Sequence, residues 1–257
     1  MKIERVLAPN PGPFTGPGTN TWLLDGEGEV LIIDPGPIDS RHTAALVERV
    51  GGRPVAGVLV THTHEDHAPL ANPLAAQWDV PAYGHSPGPS FRPDLRLEDG
   101  STLTVGEVEL AVVHTPGHSD DHLCFLAERV LFTGDHIMGG SSVMVDKMAP
   151  YLDSLERLRR LDLGSLYPGH GDVIDDPYGV IDWYVAHRRE REGQVLGAVA
   201  EGASSVTDIV DSVYRDVDPA LHPLAARSVS AHLDKLVDEG RLHREGDRVR
   251  LSAGVRR

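Results

Sequence analysis

Apolar positions in the first 175 residues fall into short runs broken by turn residues, not into long helical stripes. Residues 21–24 and 30–34 read as strands on either side of the turn-forming Asp25-Gly26-Glu27-Gly28. Ala44, Leu46, Val47 and Val50 then recur at helical spacing, with Ser40 as the expected N-cap and Gly51-Gly52 as the stop. Residues 55–60 are apolar throughout, as in a buried strand. Next come a helix over 70–77, a strand over 80–83 and alternating runs at 103–105 and 108–113. Two further runs, 123–126 and 130–132, flank a tight turn at Glu128-Arg129. Strands dominate and helices lie between them, which predicts an α/β or α+β fold of layered sheets.

The pattern changes at residue 151. Leu152, Leu155, Leu158 and Leu161 repeat at helical spacing, and residues 181–200 read as a second long helix rich in Arg and Glu. Residues 207–214 precede a helix carrying Val229, Leu233, Leu236 and Val237 that stops at Gly240. An alternating stretch over 241–251 turns back at Gly246-Asp247. Helix, helix, hairpin is the outline of a winged helix. The expected plan is a catalytic domain over 1–175, a connecting helix over 176–200 and a winged-helix-like module over 201–257.

Composition narrows the field without naming a function. With 257 residues, 40 % apolar and 25 % charged, the chain is an ordinary globular protein. No apolar run approaches the roughly 20 residues of a spanning helix, and the start Met1-Lys2-Ile3-Glu4-Arg5 lacks a signal-peptide core. The expectation is a cytoplasmic protein without a membrane partner. Cys124 is the single cysteine and sits in the apolar run 122–126, which excludes an internal disulfide and points to a buried thiol. A net charge of −15 opposes polyanion binding by the surface as a whole.

Candidate chemistry is concentrated in turns that follow apolar runs. Thr61-His62-Thr63-His64-Glu65-Asp66-His67 directly follows the run at 55–60 and crowds three histidines and an aspartate together. Imidazoles mixed with a carboxylate suit zinc or another borderline divalent metal. Three later turns repeat the pattern: Thr115-Pro116-Gly117-His118, Thr133-Gly134-Asp135-His136 and Pro168-Gly169-His170-Gly171-Asp172. The glycines let the backbone turn tightly beside a ligand.

With these motifs in this order, the chain resembles the hydrolases of the metallo-beta-lactamase superfamily, in particular the glyoxalase II and lactamase-beta-two-like branch. The resemblance runs from Thr19-Asn20-Thr21 through the terminal module. It implies a four-layer αβ/βα sandwich with a dinuclear metal centre at one edge. By motif match, His62, His64 and His118 would hold one metal, Asp66, His67 and His170 the other, and Asp135 would bridge them. The implied cofactor is a pair of Zn2+ ions, with iron or manganese as alternatives in one or both sites. Ala68 stands where the family often has Gly or Ser. His114 reads as structural, His122 matches no ligand position, and His136, Met138, Met144 and Lys147 are candidates for the substrate pocket.

The implied reaction is hydrolysis by a hydroxide bridged between the metals, oriented by Asp66, because bound zinc brings the pKa of water to about 7. An acyl thioester or ester fits best: a thiolate whose thiol has a pKa of about 8.5 leaves without a general acid. The alternative substrate is single-stranded RNA, which the net charge disfavours, and beta-lactam hydrolysis would be a side activity. Residues from Glu201 onward carry 10 acidic and 9 basic residues, so about −1 of the net −15 lies there. The helix expected to lead recognition mixes Arg227 and Lys235 with Asp234, Asp238 and Glu239. A module that closes the pocket or forms a homodimer therefore fits better than one that grips duplex DNA. A metal-sensing regulator and a one-iron dioxygenase are further alternatives, against which a full set of seven ligands argues.

Overall fold

The computed structural model describes residues 1–140 and 142–253; Ser141 of the candidate pocket loop and residues 254–257 lie outside the described residues. The chain divides into two compact units, the first comprising Met1–Pro116, Asp120–Val143 and Arg160–Tyr178, the second Gly117–Ser119, Met144–Arg159 and Gly179–Arg257.

In the first unit, a six-stranded sheet is built from β1 (Lys2–Leu7), β2 (Asn20–Asp25), β3 (Val30–Ile33), β4 (Val55–Leu59), β5 (Ala82–Gly84) and β6 (Leu95–Arg96), in that order. β1 to β3 are antiparallel, and β3 to β6 run parallel. Helices α1 (Ser40–Val50) and α2 (Ala71–Trp78) connect the parallel strands. A five-stranded sheet follows, formed by β7 (Thr102–Val105), β8 (Val108–His114), β9 (Leu123–Ala127), β10 (Val130–Gly134) and β11 (Ser165–Pro168), with the order β11-β10-β9-β8-β7.

Alternate residues of each central strand enter different cores. Leu23, Ile32, Val58 and Val60 pack with Leu46 and Val50 of α1 and Leu74 of α2. Trp22, Leu24, Leu31, Ile33 and Leu59 pack instead with Val108, Leu110, Val112, Phe125 and Phe132 of the second sheet. Both faces of the first sheet are covered, which is why its central strands are apolar at successive positions and do not alternate. The unit is an α/β sandwich of two mixed sheets.

Details depart from the sequence reading for identifiable reasons. Asp39, not Ser40, caps α1: its carboxylate accepts the Arg41 and His42 amides, and Gly51 closes the helix at φ 62°. Both residue types suit an N-cap, and only the backbone decides between neighbours. The reading also missed β1 and β6, two partly exposed edge strands with little apolar signature.

The second unit holds α3 (Met148–Leu158), most of α4 (Pro177–Ala200), α5 (Val206–Val213), α6 (His222–Asp238) and the hairpin β12 (Leu242–Glu245) and β13 (Arg248–Leu251). Leu161 lies past the end of α3. Ser205 and Asp208 form a capping box that starts α5. The winged-helix core joins Ile209 and Val210 of α5, Val229, Leu233 and Leu236 of α6, and Leu242 and Val249 of the hairpin. Val195, Ala198 and Val199 of α4 complete it. Among the described residues, no helix is long and apolar enough to cross a membrane. Cys124 is fully buried, as expected.

Candidate metal centre

The ligand-type residues of the first unit sit in the turns that follow β4, β10 and β11, where the backbone has left the sheet and side chains can converge. Asp34 anchors them. It ends β3 in a left-handed conformation, φ 51°, and is only 1 % exposed. The Thr61 amide and hydroxyl both donate to its carboxylate, each at 2.7 Å, so the start of the His62 turn is tied to the end of β3. His67 places Nδ1 2.9 Å from the same carboxylate, which turns its Nε2 towards the centre.

Around that Nε2 stand three more donor atoms. His170 Nε2 is 3.3 Å away, Asp135 Oδ1 3.3 Å and Asp66 Oδ2 3.7 Å. His170 Nε2 lies 3.1 Å from Asp66 Oδ2 and 3.4 Å from Asp135 Oδ1. Ligands 2.0–2.2 Å from a tetrahedral metal stand roughly 3.3–3.6 Å from one another, close to this spacing. Two imidazole nitrogens at hydrogen-bond distance cannot both present lone pairs without a cation or proton between them. The donor set therefore fits a divalent metal. The far nitrogen of His170 faces the Gly18 carbonyl at 3.2 Å, and that of His67 faces Asp34, the outer partners that fix the orientation of metal-binding histidines.

His62 and His64 of the first unit form a second facing pair, and His118 belongs to the second unit. His62 Nε2 is 2.9 Å from His64 Nδ1, and its own Nδ1 is held by the Thr61 hydroxyl at 3.0 Å. His118 Nδ1 lies 2.8 Å from the Met144 carbonyl, so Nε2 is the ring nitrogen that would face a metal. The loop carrying it is braced from 146 and 147, whose amides donate to the Gly117 carbonyl at 2.8 and 3.0 Å.

Electrostatics match the geometry. Burial would raise the Asp66 carboxyl, but the charge on His67 and the hydrogen bond with His170 outweigh it and take the pKa down to about 2. Burial would lower His67, yet Asp135, Asp34 and Asp66 hold it well above 6.5. The carboxylates thus attract a positive charge to this point, whether a proton or a metal.

The pocket candidates differ in burial. His136 is fully buried and Met138 nearly so, Met144 is half-buried and Lys147 is exposed at the start of α3. His114 is held by its backbone, with its amide on Asp99, and its Nε2 lies 2.8 Å from the Asp120 carbonyl. Sequence reasoning missed Asp34, Thr61 and Asn20 as supports of the site. Asn20 Nδ2 donates to the Pro168 and Gly171 carbonyls at 3.0 and 2.8 Å, clamping the His170 turn from both sides. A carboxylate closing an apolar strand and followed by Pro35-Gly36 was the available signal for Asp34.

Residues 14–170 match the metallo-beta-lactamase superfamily and residues 205–250 the beta-lactamase associated winged helix domain. The chain belongs to that superfamily and is one of its hydrolases. It is 33 % identical over 260 residues to a beta-lactamase-like protein 2 homolog of Drosophila melanogaster, covering 93 % of this chain and 89 % of that one. An atrochrysone carboxyl ACP thioesterase of a Cryptosporiopsis species is 31 % identical over 264 residues, covering 94 % and 81 %. The crystal structure of a beta-lactamase domain protein from Burkholderia ambifaria superposes with a TM-score of 0.84 at 26 % identity, covering 97 % and 91 %.

Proposed function

We propose that this chain is a dinuclear metal hydrolase of acyl thioesters or esters. In this reading His62, His64 and His118 hold one metal, Asp66, His67 and His170 the other, and Asp135 serves both. The observation that carries it is the convergence of Asp66, His67, Asp135 and His170 at tetrahedral ligand spacing. Zinc suits this donor set, with iron or manganese as alternatives. When bound, such metals supply a water that ionises near neutral pH and a Lewis acid for the scissile carbonyl.

The chain's own groups do the rest. Of Asp66, His67, Asp135 and His170, Asp66 is the most open to solvent, its side chain 27 % exposed. Its Oδ2 faces His170, so Oδ1 is the oxygen to orient the attacking water and accept its proton. Asp34 holds His67 in register, and the buried rings of His67 and His170 keep bulk water from their side of the centre. Met138 and Met144 would meet the acyl chain and Lys147 a polar or charged group of the substrate.

Relatives named as atrochrysone carboxyl ACP thioesterases, 31 and 32 % identical, support a thioester. So does the leaving group, since a thiolate needs no acid to depart. Cleavage of RNA finds less support. Of the hairpin arginines Arg241, Arg244, Arg248 and Arg250, three are engaged: Arg241 donates to Glu192 at 2.9 Å, Arg244 to Asp234 at 2.6 Å and Arg248 to the Ser204 hydroxyl at 2.8 Å. Phosphate would have to displace those partners. The test is turnover of zinc-loaded and chelated protein on acyl thioesters, nitrocefin and single-stranded RNA. Chelator-sensitive thioester hydrolysis without RNA cleavage is expected; metal-dependent RNA cleavage with no thioester turnover would overturn the proposal.

A further inference from the structure

His122 belongs to neither ligand group, yet it touches the backbone of a ligand. We infer that it is a positioning residue that fixes Asp135, an inference that rests on the reading of Asp135 as the shared ligand. The residue precedes β9 and is fully buried. Its Nε2 lies 3.1 Å from the backbone nitrogen of Asp135. A peptide N–H only donates, so Nε2 accepts. A neutral ring then carries its hydrogen on Nδ1, which stands 2.9 Å from the hydroxyl of Thr115, itself fully buried. The Thr115 amide donates in turn to the His122 carbonyl at 2.9 Å. Ring and backbone of His122 are thus both held by one residue, and the ring's remaining nitrogen is aimed at Asp135.

The surroundings allow little else there. Gly134 has φ 47°, and a Cβ on it would stand 2.7 Å from His122 Nε2 and 2.6 Å from the Thr61 hydroxyl. Glycine at this left-handed turn lets the imidazole approach the chain at the point where the Asp135 amide emerges. The Gly134 carbonyl also accepts the Gly169 amide at 2.8 Å, so the turn before His170 hangs from the same point. On its other side the His122 ring lies 5.1 Å, centroid to centroid, from the ring of His62. One imidazole therefore registers the Asp135 turn directly and the His170 turn through a single further hydrogen bond.

Phenylalanine at 122 would fill the space and leave the Asp135 amide without its acceptor; glutamine would return an acceptor on a more flexible stem. The test uses cobalt-loaded full-length protein and measures bound metal, the spin-coupling signature of the metal pair, kcat and KM, with the Tm of the metal-free protein as the folding control. His122→Phe is expected to lower kcat by about 10- to 100-fold, the usual range for losing an outer partner of a metal ligand, and to alter the coupling signature, with KM nearly unchanged. His122→Gln is expected to recover part of both. Thr115→Val, a smaller change that keeps the fold if His122→Phe does not, is expected to show the same signature change in weaker form. Wild-type kcat and coupling in folded His122→Phe, or a lowered Tm with an unaltered signature in all three variants, would overturn the inference. Asp135→Ala separates the two claims. If it keeps the coupled pair, the reading of Asp135 has failed; if it loses the pair while His122→Phe retains it, only the role of His122 has failed.

Discussion

At the candidate metal centre His67 and His170 bring two Nε2 atoms within 3.3 Å of each other, with Asp66 and Asp135 beside them; on the C-terminal hairpin Arg241, Arg244 and Arg248 each reach a carboxylate or hydroxyl of their own. Polar groups are held in both places, but in the first they converge on one point and in the second they are paired off. Convergence is useful only when a cation arrives, and it has to be enforced by outside contacts such as those of Asp34 and Asn20. Pairing needs no third party and does little more than hold a surface together. Density of charge alone does not mark a site; what marks it is side chains whose bonding atoms face one another.

The sharpest way to break that contrast is to remove the carboxylate proposed to serve both metals. Asp135→Ala is expected to lower kcat/KM by on the order of 10³-fold or more and to reduce bound metal, measured by elemental analysis. Full activity would mean that convergence at this point is incidental. A smaller effect is expected from the outer support: Asp34→Asn keeps the shape but weakens the hold on His67 and Thr61. Metal affinity should fall about 10- to 100-fold in competition with a chromogenic chelator.

A third case lies inside the winged-helix unit. His232 is fully buried, neither ring nitrogen has a hydrogen-bond partner among the described residues, and burial together with Arg188, Lys235, Arg191 and His187 takes its pKa down to about 3. In the unfolded chain it titrates near 6.5. Its folded pKa is depressed, so the unfolded state binds the extra proton between those values. The neutral ring costs nothing above pH 6.5, and stability falls as the pH drops from there towards 3, by at most about 1.4 kcal/mol per unit. Urea midpoints at pH 7 and 5 should lie closer together in His232→Leu than in the parent chain; an equal separation would contradict the assignment. The smallest effect is expected from Arg244→Ala, which removes an exposed ion pair with Asp234. Stability should change by no more than about 1 kcal/mol and thioester turnover not at all.

What the sequence revealed divides along the same line. The candidate ligands stood out because each lies in a local turn after an apolar run, beside glycine at His118, Asp135 and His170, so a few consecutive residues carry the signal. The sandwich was legible for a related reason: strands such as residues 55–59 are covered on both faces and so lack the alternation of a one-sided strand. Asp34 left only the weak signal of a carboxylate closing an apolar strand, and His122 left less, because Thr61 and Asp135, which they hold, lie 27 and 13 residues away. The same holds for α4, which reads as a charged connector but lends Val195, Ala198 and Val199 to the winged-helix core. Separated residues that act through hydrogen bonds or a shared core leave no pattern in a window of sequence.

The converging side chains are proposed to hold a metal pair used to cleave acyl thioesters. The most direct test is a titration of chelated protein with zinc in which bound metal and thioester turnover are followed on the same samples. No turnover is expected without metal, followed by a rise that levels off at two equivalents per chain. Turnover in the metal-free protein, or a plateau reached with a single equivalent bound, would contradict the proposal.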